Sequence, residues 1–121
     1  MKSKIPITST IHGCGIFDEN HDLSLTWCGM HGSAAANYAL QESDCIIALG
    51  SRFDDRTTGL VSQYAQEARK NKAVVHVNIN PEELNYVFKT NYNFPIDCKE
   101  FLNNAIPIVS SNKRDSWNNK I

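Results

Sequence analysis

The sequence has no CxxC pair. Its four cysteines, Cys14, Cys28, Cys45 and Cys98, are widely spaced, and none clusters with histidine at zinc-ligand spacing. Structural zinc modules are excluded on that ground, and the plain expectation is four reduced, packed thiols in an intracellular protein. The opening "MKSKIPITSTIHG" lacks the apolar centre of a signal peptide, and no run approaches the roughly 18 apolar residues of a membrane span. The net charge of -1 supplies no general attraction for nucleic acid or an anionic bilayer. Repeats and low-complexity tracts are missing, apart from an Asn/Ser-rich tail from Ser110 onward. There is no HExxH, no Walker loop, no Ser-His-Asp arrangement and no general acid-base pair. Catalytic residues and metal ligands are therefore not expected in this chain.

What is present is ordinary globular material: 41% hydrophobic and 21% charged residues in 121, enough for one core. Strand-like and helix-like runs alternate. "KIPITSTI" reads as a strand entering the glycine loop His12-Gly13-Cys14-Gly15, and "GIFDENHDLSL" as a loop with at most a turn of helix. Ser33 caps an alanine-rich helix, "DCIIALGS" is a buried strand, and "LVSQYAQEARKN" carries Leu60, Tyr64 and Ala68 at helical spacing. "AVVHVNIN" is a further strand, after which Asn80-Pro81-Glu82-Glu83 predicts a helix start with Glu83 reaching back to the cap amide. "NFPI" is a short last strand, and Asp97 caps a helix over "FLNNAIPIV". Strands separated by helices imply right-handed crossovers, hence an α/β fold: a Rossmann-like parallel sheet with helices on both faces. Ligands of such sheets bind at the carboxyl ends of the strands, here residues 11–15, 50–59, 78–80 and 96–98.

One of these strand ends is unusual. In "ALGSRFDDRTTG" a glycine closes the strand and Arg52, Asp54, Asp55 and Arg56 follow within six residues of Gly50. Glycine admits close approach to the backbone, and paired arginines suit a diphosphate or nucleotide, with carboxylates orienting them or accepting ribose hydroxyls. A self-neutralising ion-pair loop accounts for the same residues equally well. Gly29-Met30-His31-Gly32 lies at a helix N-terminus, where amides attract anions, although a histidine beside a cap is more often structural. His12-Gly13-Cys14-Gly15 is half a dinucleotide fingerprint without its third glycine. His76, inside an apolar strand, reads as a satisfied core histidine, and His21 as a loop residue without a partner.

The stretch "GMHGSAAANYALQESDCIIALGSRFDDRTTG", with "PITSTIHGCGIFDENHDLSL" before it, resembles the central domain of the acetolactate synthase (acetohydroxyacid synthase) catalytic subunit, a thiamine-diphosphate enzyme. The resemblance covers nearly the whole chain and weakens after about Asn80. It implies a central domain over residues 1–109, lacking the family domain's first strand and helix, then a polar tail, 110–121, like the exit toward a C-terminal domain. It also implies FAD held in an extended pose, with thiamine diphosphate and Mg2+ bound between flanking domains of paired subunits and not by this segment alone. Carried over by position, Gly50, Arg52, Asp54 and Arg56 correspond to the flavin site. Thr10, Ile11 and His12 correspond to a strand-end contact segment, Met30 and His31 to the GMHG contact, and Asn78, Ile79 and Asp97 to the adenine and ribose side. Three positions depart from the family pattern: His12 stands where glutamine is common, Ile96 where glycine is usual, and Asn78 where an acidic residue is frequent.

The family's catalytic glutamate and its GDG metal motif belong to other domains and have no counterpart here. The resemblance thus implies part of a transferase of branched-chain amino-acid biosynthesis, which decarboxylates pyruvate and condenses the product with a second 2-oxo acid. Activity is not expected from this segment alone. Its implied partners are the flanking catalytic domains or subunits, with a regulatory subunit left open, and neither nucleic acid nor membrane. The cytoplasm, or a mitochondrion or plastid where a targeting segment is missing, is the implied location. A stand-alone nucleotide-binding module, a non-functional remnant, and another enzyme of the same cofactor class are the alternatives.

Overall fold

The computed structural model describes residues 3–121, and the observations below concern those residues. Five strands alternate with five short helices. Strands β1 (Ile7–Ser9) and β2 (Ser24–Trp27) pair in parallel, with an irregularity between Ile7 and Ser9. Helix α1 (Ala34–Glu42) follows, and Ser33 caps it by accepting the Ala36 N–H, as its position before the alanine run predicts. Strands β3 (Ile46–Leu49), β4 (Val74–Val77) and β5 (Tyr92–Phe94) form a second parallel sheet in the order β3-β4-β5. Between β3 and β4 lie α2 (Asp55–Thr58) and α3 (Gln66–Lys70), and after β5 come α4 (Cys98–Ala105) and α5 (Asp115–Asn118). The α/β reading holds: all pairings are parallel and helices flank the strands.

The core covers one face of the three-stranded sheet. Ile46, Ala48 and Val74 point toward Phe53, Tyr64, Ala65, Ala68 and Phe88, and dense burial of these apolar surfaces supplies most of the driving force there. Along β3 the burial alternates, so Ile47 and Leu49 on the opposite face remain 46% and 41% exposed. The expectation of two covered faces is therefore met on one side of β3 only.

Four further expectations need correction. The segment "GIFDENHDLSL" does not stay a loop to its end, because Ser24 and Leu25 already belong to β2. The helix expected over "LVSQYAQEARKN" is broken into a 3-10 turn, Val61–Gln63, and the short α3. Ala65 takes a left-handed φ of 53° between them, and the Arg69 guanidinium donates to the Val61 and Tyr64 carbonyls at 2.7 and 3.2 Å. Burial of Tyr64 and Ala65 thus overrides helical propensity, and Arg69 supplies the hydrogen bonds the broken turn loses. The expected helix after Asn80 is a single 3-10 turn, Pro81–Glu83. Asn80 does cap it, accepting from Glu82 N–H, but its own amide donates to Asn78 Oδ1, leaving Glu83 free to turn elsewhere. Cys45, expected to be packed, is exposed, as is Cys14, while Cys28 is buried and its thiol is pushed up by desolvation. All four thiols are free.

Candidate functional site

The carboxyl end of β3 opens into Gly50, whose φ of 71° suits glycine and reverses the chain into the loop Ser51-Arg52-Phe53. Inward and outward groups alternate along that loop. The Ser51 carbonyl faces β4, accepting from His76 Nε2 at 2.6 Å and from Asn78 Nδ2 at 3.4 Å. Phe53 turns its ring into the core, 4.8 Å from Phe88 and 4.7 Å from His76 between centroids. Arg52 between them projects outward with a side chain 65% exposed, and meets Asp54 at 3.6 Å.

Asp54 also caps α2, accepting the Thr57 N–H on Oδ1 at 3.0 Å while Oδ2 faces Arg52. Hydrogen bonding from Thr57 holds its carboxyl below the usual carboxylate range; partial burial opposes this and Arg52 adds to it. A folded-state pKa below the unfolded one gives a contribution that is complete above the unfolded value and fades as pH falls through the folded one. Asp54→Ala is accordingly expected to cost about 1 kcal/mol near neutrality, as for a lost N-cap. In urea unfolding followed from pH 7 into the acid range, the gap between variant and parent should narrow once the pH passes below the ordinary carboxylate value of 3.8.

The structure joins the two motifs that the sequence singles out. Met30 N–H donates to the Arg56 carbonyl at 2.8 Å, so the Gly29-Met30 loop rests on the first turn of α2. A Cβ at Gly29 would lie 2.4 Å from Arg56 O, and its φ of 99° independently demands glycine. Asn37 of α1 clamps the same loop, accepting from Gly29 N–H and donating to Gly29 O. Behind the junction lies a cavity of about 230 Å3 lined by Met30, Thr57 and Tyr64 among others, below the usual range of roughly 300–1,000 Å3 for a small-molecule pocket.

Asp97 lies beside the same strand end. It caps α4 through Lys99 N–H at 2.7 Å, and Cys98 Sγ would stand 3.6 Å from a Cβ at Gly50. Thr10, Ile11 and His12 form the entry to a 3-10 turn at the carboxyl end of β1, linked to the Gly29 loop through Cys28 N–H donating to Ser9 O. No hydrogen bond among the described residues connects them directly to the Gly50 loop. The imidazole of His31 is exposed and only its carbonyl is engaged, by Trp27 Nε1. Ile79 presents an apolar side chain 69% exposed.

Asn78, expected on the ribose side, has a side chain that bonds to the protein itself. Its side chain is buried, with Nδ2 donating to Ser51 O and to Glu83 Oε2 at 2.7 Å and Oδ1 accepting from Asn80 N–H. It is engaged by the protein at both ends. At the Gly50 loop Arg52 and Arg56 are exposed, and the Ser51 and Arg52 amides have no acceptor among the described residues. Asn78 Oδ1 already accepts from Asn80 N–H, and the second oxygen of Asp97 has no partner among the described residues.

Among the described residues no group of three or more His, Cys, Asp or Glu side chains is placed to hold a metal ion, and no helix is long and apolar enough to cross a membrane. The network of Ser51, His76, Asn78 and Glu83 escapes sequence reading, although His76 in β4 and Asn78, one residue past its end, are two residues apart and both bond the Ser51 carbonyl.

Comparison with known proteins bears on this arrangement. The sequence profile of the family described as "Thiamine pyrophosphate enzyme, central domain" matches residues 1–105. The mitochondrial acetolactate synthase catalytic subunit of Saccharomyces cerevisiae is 45% identical over 94 residues, 74% of this chain and 14% of its own length. The acetolactate synthase large subunit of Pyropia yezoensis is 51% identical over 67% of the chain and 13% of its own length. The isozyme 1 large subunit of acetolactate synthase from Escherichia coli is 36% identical over 96% of the chain and 20% of its own length. The chain thus spans between about one eighth and one fifth of these curated relatives.

Proposed function

The chain belongs to the thiamine pyrophosphate enzyme central-domain family, and on that premise we propose that it serves as the central, FAD-binding-type domain of an acetolactate synthase-like catalytic subunit. The observation that carries this reading is the strand-end loop after Gly50, where two amides are unengaged and Arg52 is exposed, followed in α2 by the exposed Arg56, whose carbonyl accepts from Met30 N–H. Two guanidinium groups and two amides are a donor set for a diphosphate, and Asp54 orients one of the guanidiniums. Ile79 offers an apolar surface for a purine, and Met30 one for an isoalloxazine edge.

The role of this chain in the reaction is to hold and orient the dinucleotide. In a full enzyme of this kind, thiamine diphosphate with Mg2+, held by flanking domains, would supply the electron sink for decarboxylating pyruvate and joining the product to a second 2-oxo acid. None of the residues described here would touch that chemistry.

Titration of the native polypeptide with FAD, followed by flavin fluorescence, is expected to saturate. Arg52→Ala should weaken the Kd roughly 10- to 100-fold, the range for losing charge-assisted hydrogen bonds. An unchanged Kd would remove the loop from the flavin site. The isolated chain of 121 residues is expected to form no acetolactate, and product from it would overturn the division of labour proposed here.

A further inference from the structure

His76 is 1% exposed, in a strand otherwise composed of valines, with its ring against Phe53. Since a carbonyl only accepts, the bond from Nε2 to Ser51 O fixes the proton on Nε2. Nδ1 is buried without a partner among the described residues. An orphaned buried polar atom costs stability, and an apolar ring at the same position would avoid that cost. What histidine contributes here is its hydrogen bond to Ser51 O.

That bond has a geometric consequence. A trans peptide unit is planar, with its C=O and N–H pointing in opposite directions, and no described peptide bond is cis. His76 and Asn78 hold the Ser51 carbonyl against β4, so the N–H of Arg52 in the same peptide unit is aimed away from the core. It has no acceptor among the described residues, and the Arg52 side chain is 65% exposed. Glu83 fixes Asn78 in turn, so the support is itself held.

We infer that His76 and Asn78 are positioning residues, which aim the Arg52 amide at a phosphate oxygen of the bound nucleotide through the Ser51 carbonyl. This rests on the nucleotide reading above and adds to it a backbone donor and the residues that set its direction. The guanidinium of Arg52 moves on a flexible stem; the amide is fixed before the ligand arrives, so little ordering cost accompanies its bond.

The test uses the native polypeptide with FAD as the probe. His76→Phe should weaken the Kd about tenfold; His76→Gln, whose amide nitrogen reaches the same point as Nε2, should restore the Kd to within about threefold of the parent. Affinity equal to the parent in His76→Phe, or equal losses in both variants, would overturn the inference. Should His76→Phe fail to fold, hydrogen exchange of the Arg52 amide in the unaltered protein decides: FAD is expected to slow it at least tenfold, and exchange unaffected by saturating FAD would overturn the inference. Absence of FAD binding by the unaltered protein would instead remove the nucleotide reading itself.

Discussion

Phe53→Ala is expected to lower the unfolding free energy by about 3–5 kcal/mol, the usual cost of deleting a buried phenylalanine ring. Against a total of about 5–15 kcal/mol for an ordinary domain, such a loss brings the fold close to its limit. The ring is 4% exposed and is shared by three aromatic neighbours, Tyr64, His76 and Phe88, so no single neighbour can swing in to fill the space. Phe53 also sits at a φ of 54°, which a side chain with a Cβ adopts at a cost. Phe53→Gly should therefore be no less stable than Phe53→Ala, the reverse of the order found in a helix or strand interior. Urea unfolding of the three proteins checks both statements. A loss below about 1 kcal/mol in Phe53→Ala would mean that the cluster is not the anchor of this loop.

Gly29→Ala is expected to be comparably severe, at about 3 kcal/mol or more, because two penalties coincide there. The backbone stands at a φ of 99°, and the new Cβ would meet the Arg56 carbonyl oxygen at 2.4 Å, a backbone atom unable to rotate away. Relief requires α2 to shift, which breaks the bond from Met30 N–H to Arg56 O and separates the two motifs of the candidate site. Gly50→Ala provides the control. Its φ of 71° is strained in the same sense, yet its Cβ would find only Cys98 Sγ at the ordinary distance of 3.6 Å. Strain alone predicts about 1–2 kcal/mol for Gly50→Ala. Thermal melting of the pair separates clash from strain, and equal losses would show that the Gly29 contact yields easily.

Much of this architecture is legible in the sequence where local signals are strong. Ser33 and Asp97 announce their helices because a capping side chain acts on amides two or three residues away. The strands "IIAL" and "VVHV" are legible because β-branched residues fill them. The failures share a cause: long-range packing decides against local preference. The positive φ at Ala65 answers to the core around Tyr64 and to Arg69, neither of which a helical spacing reveals. Pro81 opens only a 3-10 turn because Glu83 is drawn to Asn78 on the neighbouring strand end. At the site, the charged cluster from Arg52 to Arg56 is readable as a candidate, yet the roles within it are not. Asp54 proves to be a cap and an orienting group, and Asn78 a support for the loop, both facts of pairing across the chain.

The two described ends of the chain meet. Arg114 Nη1 donates to Ser3 O and Asn118 Nδ2 to Lys4 O, while Lys120 lies 3.5 Å from Glu42 of α1. A polypeptide path arriving at Ser3 and departing near Arg114 thus enters and leaves through one doorway. Folding units with adjacent ends can be spliced into a longer chain without spreading the segments on either side.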